Sequence, residues 1–192
     1  MVYIDEHISN FDLKTALADI SEQRREQALR FRYELGQRTC VLAYLLLKKA
    51  LRQEYGITEN PLFEYGEHGK PAIVGHPEIH FNLSHCREAV ACAVSNRPVG
   101  IDVESVREYK DSLARYTMND DELRTIAAAG RPDAAFIRLW TMKEAALKLT
   151  GRGITDNMKT VLPATGLTFT TVERLERNYI YTVCEERTSY DF

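Results

Sequence analysis

Gly100–Ser105, GIDVES, sets two carboxylates two positions apart in a run that otherwise reads as a buried strand. Side chains alternate across a strand, so Asp102 and Glu104 share one face while Ile101 and Val103 take the other. Two like charges on one face repel unless a cation compensates them or water screens them, so the stretch asks either for a metal or for solvent. It also ends a longer unit. FNLSH at Phe81–His85, the apolar run AVACAV, a turn at Ser95–Pro98 and VGIDVESV read as successive strands with hairpin-like connections.

Helical patterns flank this unit. SEQRREQALRFRYELGQRTCVLAYLLLKKALRQEYG reads as one broken helix or two consecutive ones, from a candidate N-cap at Ser21 to a stop at Gly56. Before the strands, FEYGEHGKPAI looks like a strand ending in a Gly-Lys-Pro turn. After them, Asn119 with Glu122 three residues on resembles a capping box for a short helix ending at Gly130. A second helix then runs from an N-cap at about Asp133 to Gly151, with Phe136, Ile137, Leu139, Trp140 and Leu147 as its core-facing surface. GLTFTTVERL and YIYTVCEE alternate again, as antiparallel strands do. The order helix, strands, helix, strands implies two α+β halves.

The chain has 192 residues, 44% hydrophobic and 28% charged, enough for one large domain or two small halves around a shared core. A net charge of -3 gives no global attraction to nucleic acid or an anionic membrane, so an anionic ligand must be met locally. MVYIDEHISN has no basic region followed by an apolar run, and VLAYLLL is too short to span a bilayer, so a cytoplasmic protein is expected. Cys40, Cys86, Cys92 and Cys184 form no CxxC pair and read as small buried hydrophobes rather than a disulfide set or zinc site.

Glu144 and Lys148 lie four apart and are neighbours on a helix face. Alone, such a pair is ordinarily a weak surface salt bridge. In company with Asp102 and Glu104 it offers three carboxylates without soft ligands, a donor set that suits Mg2+. An ion of that kind beside a lysine is what a pyrophosphate needs. Ser84 and His85 are adjacent in a strand and so point to opposite faces, which argues against a nucleophile–base dyad; each could bind a phosphate oxygen separately, or serve as a turn cap and a packed histidine. His76, His80 and His85 lack the helical i, i+4 pairing and accompanying Glu of a zinc protease.

Taken in order, five features resemble the Sfp-type 4'-phosphopantetheinyl transferases: Arg38 at the head of a long helix, GKP at Gly69–Pro71, FNLSH, GIDVE at Gly100–Glu104, and WTMKEAALKLTGRG at Trp140–Gly153. The resemblance covers about residues 24–153. Each block is weak alone, and the ordered set at compatible spacing is specific. Cys86 and Arg87 depart from it, since a small Ser-Gly pair often follows the histidine. An acid expected near Asp120, Asp121 and Glu122 is not assigned to one of the three.

The resemblance implies a pseudo-twofold α+β monomer whose similar halves, residues 1–98 and 99–192, bind coenzyme A and Mg2+ in the cleft between them. It implies Asp102, Glu104 and Glu144 as metal-binding acids, Asp102 also serving coenzyme A, and Lys148 on the pyrophosphate. Ser84 is implied as a phosphate contact, Arg38 and His85 as holders of the 3'-phosphate, and Lys70 with Pro71 as neighbours of the adenosine end. Arg24 and Arg25 stand where lysines of the family help with the nucleotide. The implied activity is that of a Mg2+-dependent holo-[carrier protein] synthase. It moves 4'-phosphopantetheine from coenzyme A to a serine of an acyl or peptidyl carrier protein and releases adenosine 3',5'-bisphosphate, with Glu144 and Lys148 as catalytic groups. No nucleic acid or membrane is implied as a partner, and fatty-acid, polyketide and peptide pathways all stay open. Two rivals remain beside it: a non-catalytic binder of carrier protein or coenzyme A, and a Mg2+-dependent nucleotide pyrophosphatase using water as acceptor.

Overall fold

The computed structural model describes residues 1–66, 68–151, 158–162 and 166–187. Glu67 of the GKP hairpin and Arg152 and Gly153 of the last block lie outside the described residues.

The first part of the chain runs β1 (Val2–Asp5), α1 (Leu13–Ala18), α2 (Glu22–Leu29), α3 (Glu34–Tyr55), the short hairpin β2 (Phe63–Tyr65) and β3 (Pro71–Ile73), then β4 (His80–His85) and β5 (Val90–Ser95). The second runs β6 (Val99–Ser105), α4 (Asp111–Thr117), α5 (Asp120–Ala128), α6 (Pro132–Thr150), β7 (Leu167–Arg174) and β8 (Tyr179–Glu186). The α+β class expected from the pattern holds. Each part builds a three-stranded antiparallel sheet with one long helix against it, in the orders β1-β5-β4 and β6-β8-β7. Strand, long helix, strand, strand therefore occurs twice, and both times the last strand sits in the middle.

Ser21 caps α2 by accepting from the Arg24 amide, and Gly56 ends α3 in the left-handed region, so the basic stretch is two helices. The chain can close α3 there because glycine meets no Cβ penalty at positive φ. Tyr44, Leu47 and Leu51 of α3 recur at helical spacing and bury against Phe81, Val90, Cys92 and Val94. The other face of β5 presents Ala89, Ala91 and Ala93 to Val99, Ile101 and Val103. AVACAV is apolar throughout because both of its faces are buried, bulky residues toward α3 and small ones toward β6.

The structure departs from the sequence reading at several points. FEYGEHGKPAI is a two-stranded hairpin, with Pro71 opening β3 opposite Tyr65 rather than closing a turn. β5 and β6 are not a hairpin, since β6 pairs with β8 and leaves its other edge open. Asn82 and Ser84 side chains of β4 fill that edge, accepting from the Ile101 amide at 3.1 Å and the Val103 amide at 3.2 Å. An unpaired buried edge is costly, and side chains two apart on β4 match alternate outward amides of β6. The N-cap of α6 is Arg131 rather than Asp133: Pro132 takes a first-turn position that needs no amide, and Asp133 binds the Arg131 guanidinium. The capping box of α5 is present, and that helix ends at Ala128. Cys40, Cys92 and Cys184 are buried free thiols, and Cys86 is half-buried. Among the described residues no helix is long and apolar enough to cross a membrane.

Candidate active site

The site is assembled by the approach of α6 to β6. Gly100 shares its face with Asp102 and Glu104, and a Cβ there would fall onto the Ala145 carbonyl oxygen and within 2.7 Å of the Leu149 amide nitrogen. With only a hydrogen at that position, the helix backbone settles against the strand and carries Glu144 and Lys148 over the two acids.

Lys148 reaches across to β6. Its Nζ donates to Asp102 Oδ1 at 2.6 Å and to Ser84 Oγ at 2.9 Å, while Ser84 donates its own proton to Asp102 Oδ1 at 2.9 Å. The ammonium is therefore engaged with Asp102, and the i, i+4 pair read from the sequence is not the contact that forms. Asp102 is buried. The second oxygen of Asp102 and Oε1 of Glu144 are buried without any hydrogen-bond partner.

This crowding is written into the acids' protonation. Burial, then repulsion from Asp102, lifts Glu104 from 4.5 to about 6, against the pull of Arg107 and Lys148. Burial and Asp102 also push Glu144 upward, with Lys148 opposing. A carboxyl that keeps its proton to a higher pH in the folded chain stabilises the fold at low pH, and that contribution is lost as the pH rises from about 4.5 to about 6. The stability of the wild type relative to Glu104→Gln is therefore expected to fall across that window, by at most about 2 kcal/mol for this half-buried group. Urea midpoints measured at half-unit steps check it, and a flat or rising difference would remove the strain argument.

Lys70 arrives from the turn before β3. Its Nζ donates to the Leu149 carbonyl at 2.6 Å, a cation placed on the free carbonyls at the C-terminal end of α6, and burial pulls its pKa down. Lys70, Pro71, Asn82, Glu144 and Lys148 line one cavity of about 270 Å³. A roomier hollow of about 630 Å³ lies by Lys48, Lys49 and Arg52, away from these acids, so chemistry rather than size singles out the smaller one.

The structure thus brings together Lys70, Pro71, Ser84, Asp102, Glu104, Glu144 and Lys148. His85, at the end of β4, lies near enough to Lys148, Arg24 and Asp102 to feel them, and its pKa is lowered by desolvation first and by the two cations next. Arg38 points elsewhere: it binds Glu34 at 2.7 Å and the Phe11 carbonyl at 2.9 Å, and stacks on the Phe11 ring. Arg24 is buried with its guanidinium on the Cys40 carbonyl and Gln27, tying α2 to α3. Among the described residues no three His, Cys, Asp or Glu side chains stand ready as a metal-ligand cluster, and the ammonium of Lys148 sits on Asp102. Of the three acids near residue 120, Asp120 and Asp121 are exposed, whereas Glu122 is buried and pairs with Lys143 at 2.9 Å. Sequence reasoning missed Lys143 and Asn82. The Asn82 signal was present, since Asn82 and Ser84 share a face just as Asp102 and Glu104 do.

Residues 98–188 match the family model of the 4'-phosphopantetheinyl transferase superfamily. The chain is 37% identical over 138 residues to the 4'-phosphopantetheinyl transferase psf-1 of Bacillus pumilus, covering 70% of this chain and 59% of that protein. It is 31% identical over 157 residues to a 4'-phosphopantetheinyl transferase of Bacillus subtilis, covering 80% of this chain and 70% of the relative. It is 34% identical over 154 residues to the 4'-phosphopantetheinyl transferase gsp of Aneurinibacillus migulanus, covering 79% and 62%. The matched stretch thus spans between 59% and 70% of these relatives' lengths.

Proposed function

Because the chain belongs to the 4'-phosphopantetheinyl transferase superfamily, we propose that it transfers 4'-phosphopantetheine from coenzyme A to a serine hydroxyl of an acyl or peptidyl carrier protein. The observation that carries this reading is the meeting of Lys148, Asp102 and Ser84 at a cavity also lined by Lys70 and Glu144. Such a site offers cations to a pyrophosphate and an acid group to a hydroxyl. We read residues 1–98 and 99–192 as the two halves of the enzyme and the cavity as part of the cleft between them, in a cytoplasmic monomer.

Asp102 Oδ2 and Glu144 Oε1 are buried oxygens without partners, and an all-oxygen set with a raised-pKa neighbour in Glu104 fits a hard cation. Asp102, Glu104 and Glu144 would hold Mg2+, and the chemistry it supplies there is neutralisation of charge on phosphate oxygens. Lys148 Nζ adds a directed donor to the same charge, and Ser84 and Asp102 hold that ammonium in place. Glu144, directly or through water, accepts the serine proton as the serine oxygen bonds to phosphorus and the P–O bond to the adenosine side breaks; burial and the nearby Asp102 raise its pKa above the ordinary carboxylate value, which strengthens it as a base. Lys70 and Pro71 flank the adenosine end. His85 is the better placed of the two residues assigned to the 3'-phosphate.

A second groove, about 420 Å³, shares Glu104 with the site and runs past Arg107, Lys110, Tyr109, Phe136 and Trp140. The three rings are stacked, Tyr109 on Phe136 and Phe136 on Trp140. Arg107 and Lys110 stand on its rim beside Glu104 and Glu108, so the charges balance and the apolar floor is the feature that suits a carrier surface presenting its serine, which favours a carrier over water as acceptor.

Mass spectrometry of apo carrier proteins incubated with coenzyme A, Mg2+ and this protein tests the proposal. The expected result is a phosphopantetheine mass gain on the carrier, with adenosine 3',5'-bisphosphate formed only when the carrier is present. Asp102→Asn, which keeps size and a hydrogen-bond acceptor for Ser84, is expected to slow the gain by at least about a hundredfold. Product formed without any carrier would favour the pyrophosphatase reading, and binding without product the non-catalytic one.

A further inference from the structure

Lys143 is fully buried, next in sequence to Glu144 and pointing away from the site. Its Nζ donates to the Met158 carbonyl at 2.7 Å and pairs with Glu122 Oε2 at 2.9 Å. Glu122 in turn accepts from the Asn119 amide at 2.8 Å, and Asn119 donates its side-chain amide to the Lys159 carbonyl at 3.2 Å. One polar node thus ties α6 to α5 and to the turn at Met158–Thr160. Glu122 Oε1 stays buried without a partner, so the node carries an unrelieved desolvation cost.

A buried ion pair is a poor source of stability, since well-packed apolar residues often do as well, but it accepts few geometries. Residues adjacent in a helix project about 100° apart, so holding Lys143 on α5 aims Glu144 toward β6. The Ala145 backbone against Gly100 is the second hold. With one hold on each flank, α6 has one rotation available. A turn of roughly 20° about its axis would swing a side-chain tip by about 2 Å at the helix's outer radius, where about 1 Å of misplacement can cost a hundredfold in rate.

We propose that Lys143 is a positioning residue for the transfer reaction: through Glu122 and the Met158 carbonyl it sets the rotation of α6, and with it the places of Glu144 and Lys148. This rests on the transferase reading above. The test is the double variant Glu122→Gln/Lys143→Met, which removes both charges at once and keeps an acceptor for the capping box. Expected are a melting temperature within a few degrees of wild type, kcat at least about tenfold lower with KM for coenzyme A little changed, and at least severalfold weaker Mn2+ binding by electron paramagnetic resonance without coenzyme A. Lys143→Arg, which keeps the charge on Glu122, is expected to restore most of the loss. A double variant with wild-type kcat and Mn2+ affinity would overturn the assignment, as would one melting far below wild type, which would make the pair a stabilising element instead. Inactivity of the wild type itself would sink the transferase reading, while the Mn2+ titration would still report on the placement of α6.

Discussion

Replacement of Gly100 by alanine is expected to be the most damaging single change in the chain, lowering stability and turnover together. The new Cβ would meet the Ala145 carbonyl oxygen and the Leu149 amide nitrogen, both backbone atoms of α6. A side chain could rotate away from such a contact, but a helix backbone cannot, so α6 must lift from β6 or β6 must bend. Overpacking of a core costs typically about 1–3 kcal/mol, and a clash on two backbone atoms belongs at the upper end or beyond. The lift also separates Glu144 and Lys148 from Asp102 and Glu104, so catalysis suffers even in molecules that remain folded. Urea unfolding and steady-state transfer assays check both parts. A variant with an unchanged midpoint and turnover would mean that the close approach of helix and strand does not build the site.

The second large effect is expected at Lys148. Lys148→Ala should reduce kcat at least about a hundredfold, because a donor aimed at charge developing in the transition state is worth roughly 2.7–4 kcal/mol in comparable sites. Unlike a surface lysine, it should also cost stability. Asp102, buried and with one oxygen already unpartnered, would keep only the Ser84 hydroxyl, and a buried charge left short of partners costs on the order of 1–3 kcal/mol or more. The two losses separate in a double variant. Lys148→Ala/Asp102→Asn should recover much of the stability, since the lone buried charge is gone, and none of the turnover. Full activity of Lys148→Ala across a Mg2+ titration would end the mechanism proposed above, whereas recovery of turnover in the double variant would assign Lys148 to charge balance alone.

Local sequence pattern was enough to find the arginine-bearing helical stretch up to Gly56, the capping box at Asn119, the β7 and β8 alternation and the two faces of GIDVES, because each depends on neighbours a few residues away. Four elements escaped it. The strands β1 and β3 and the short helices α1 and α4 have at most seven residues, too few for a period to register. Partnership across the chain was equally invisible. From sequence, Glu144 and Lys148 belong to each other as helix neighbours, yet the ammonium turns to Asp102, 46 residues away, because only there does it meet a buried carboxylate. Strands β5 and β6 follow one another through a turn, yet separate into different sheets because Asn82 and Ser84 supply the edge bonds that a hairpin partner would have made. Residue type and spacing picked out candidate side chains for the chemistry and the face each one takes. Which of them meet, and how strongly their charges are stressed, was decided by packing: the bare Cα of Gly100 lets a helix down onto a strand, and burial then makes each carboxylate feel the others.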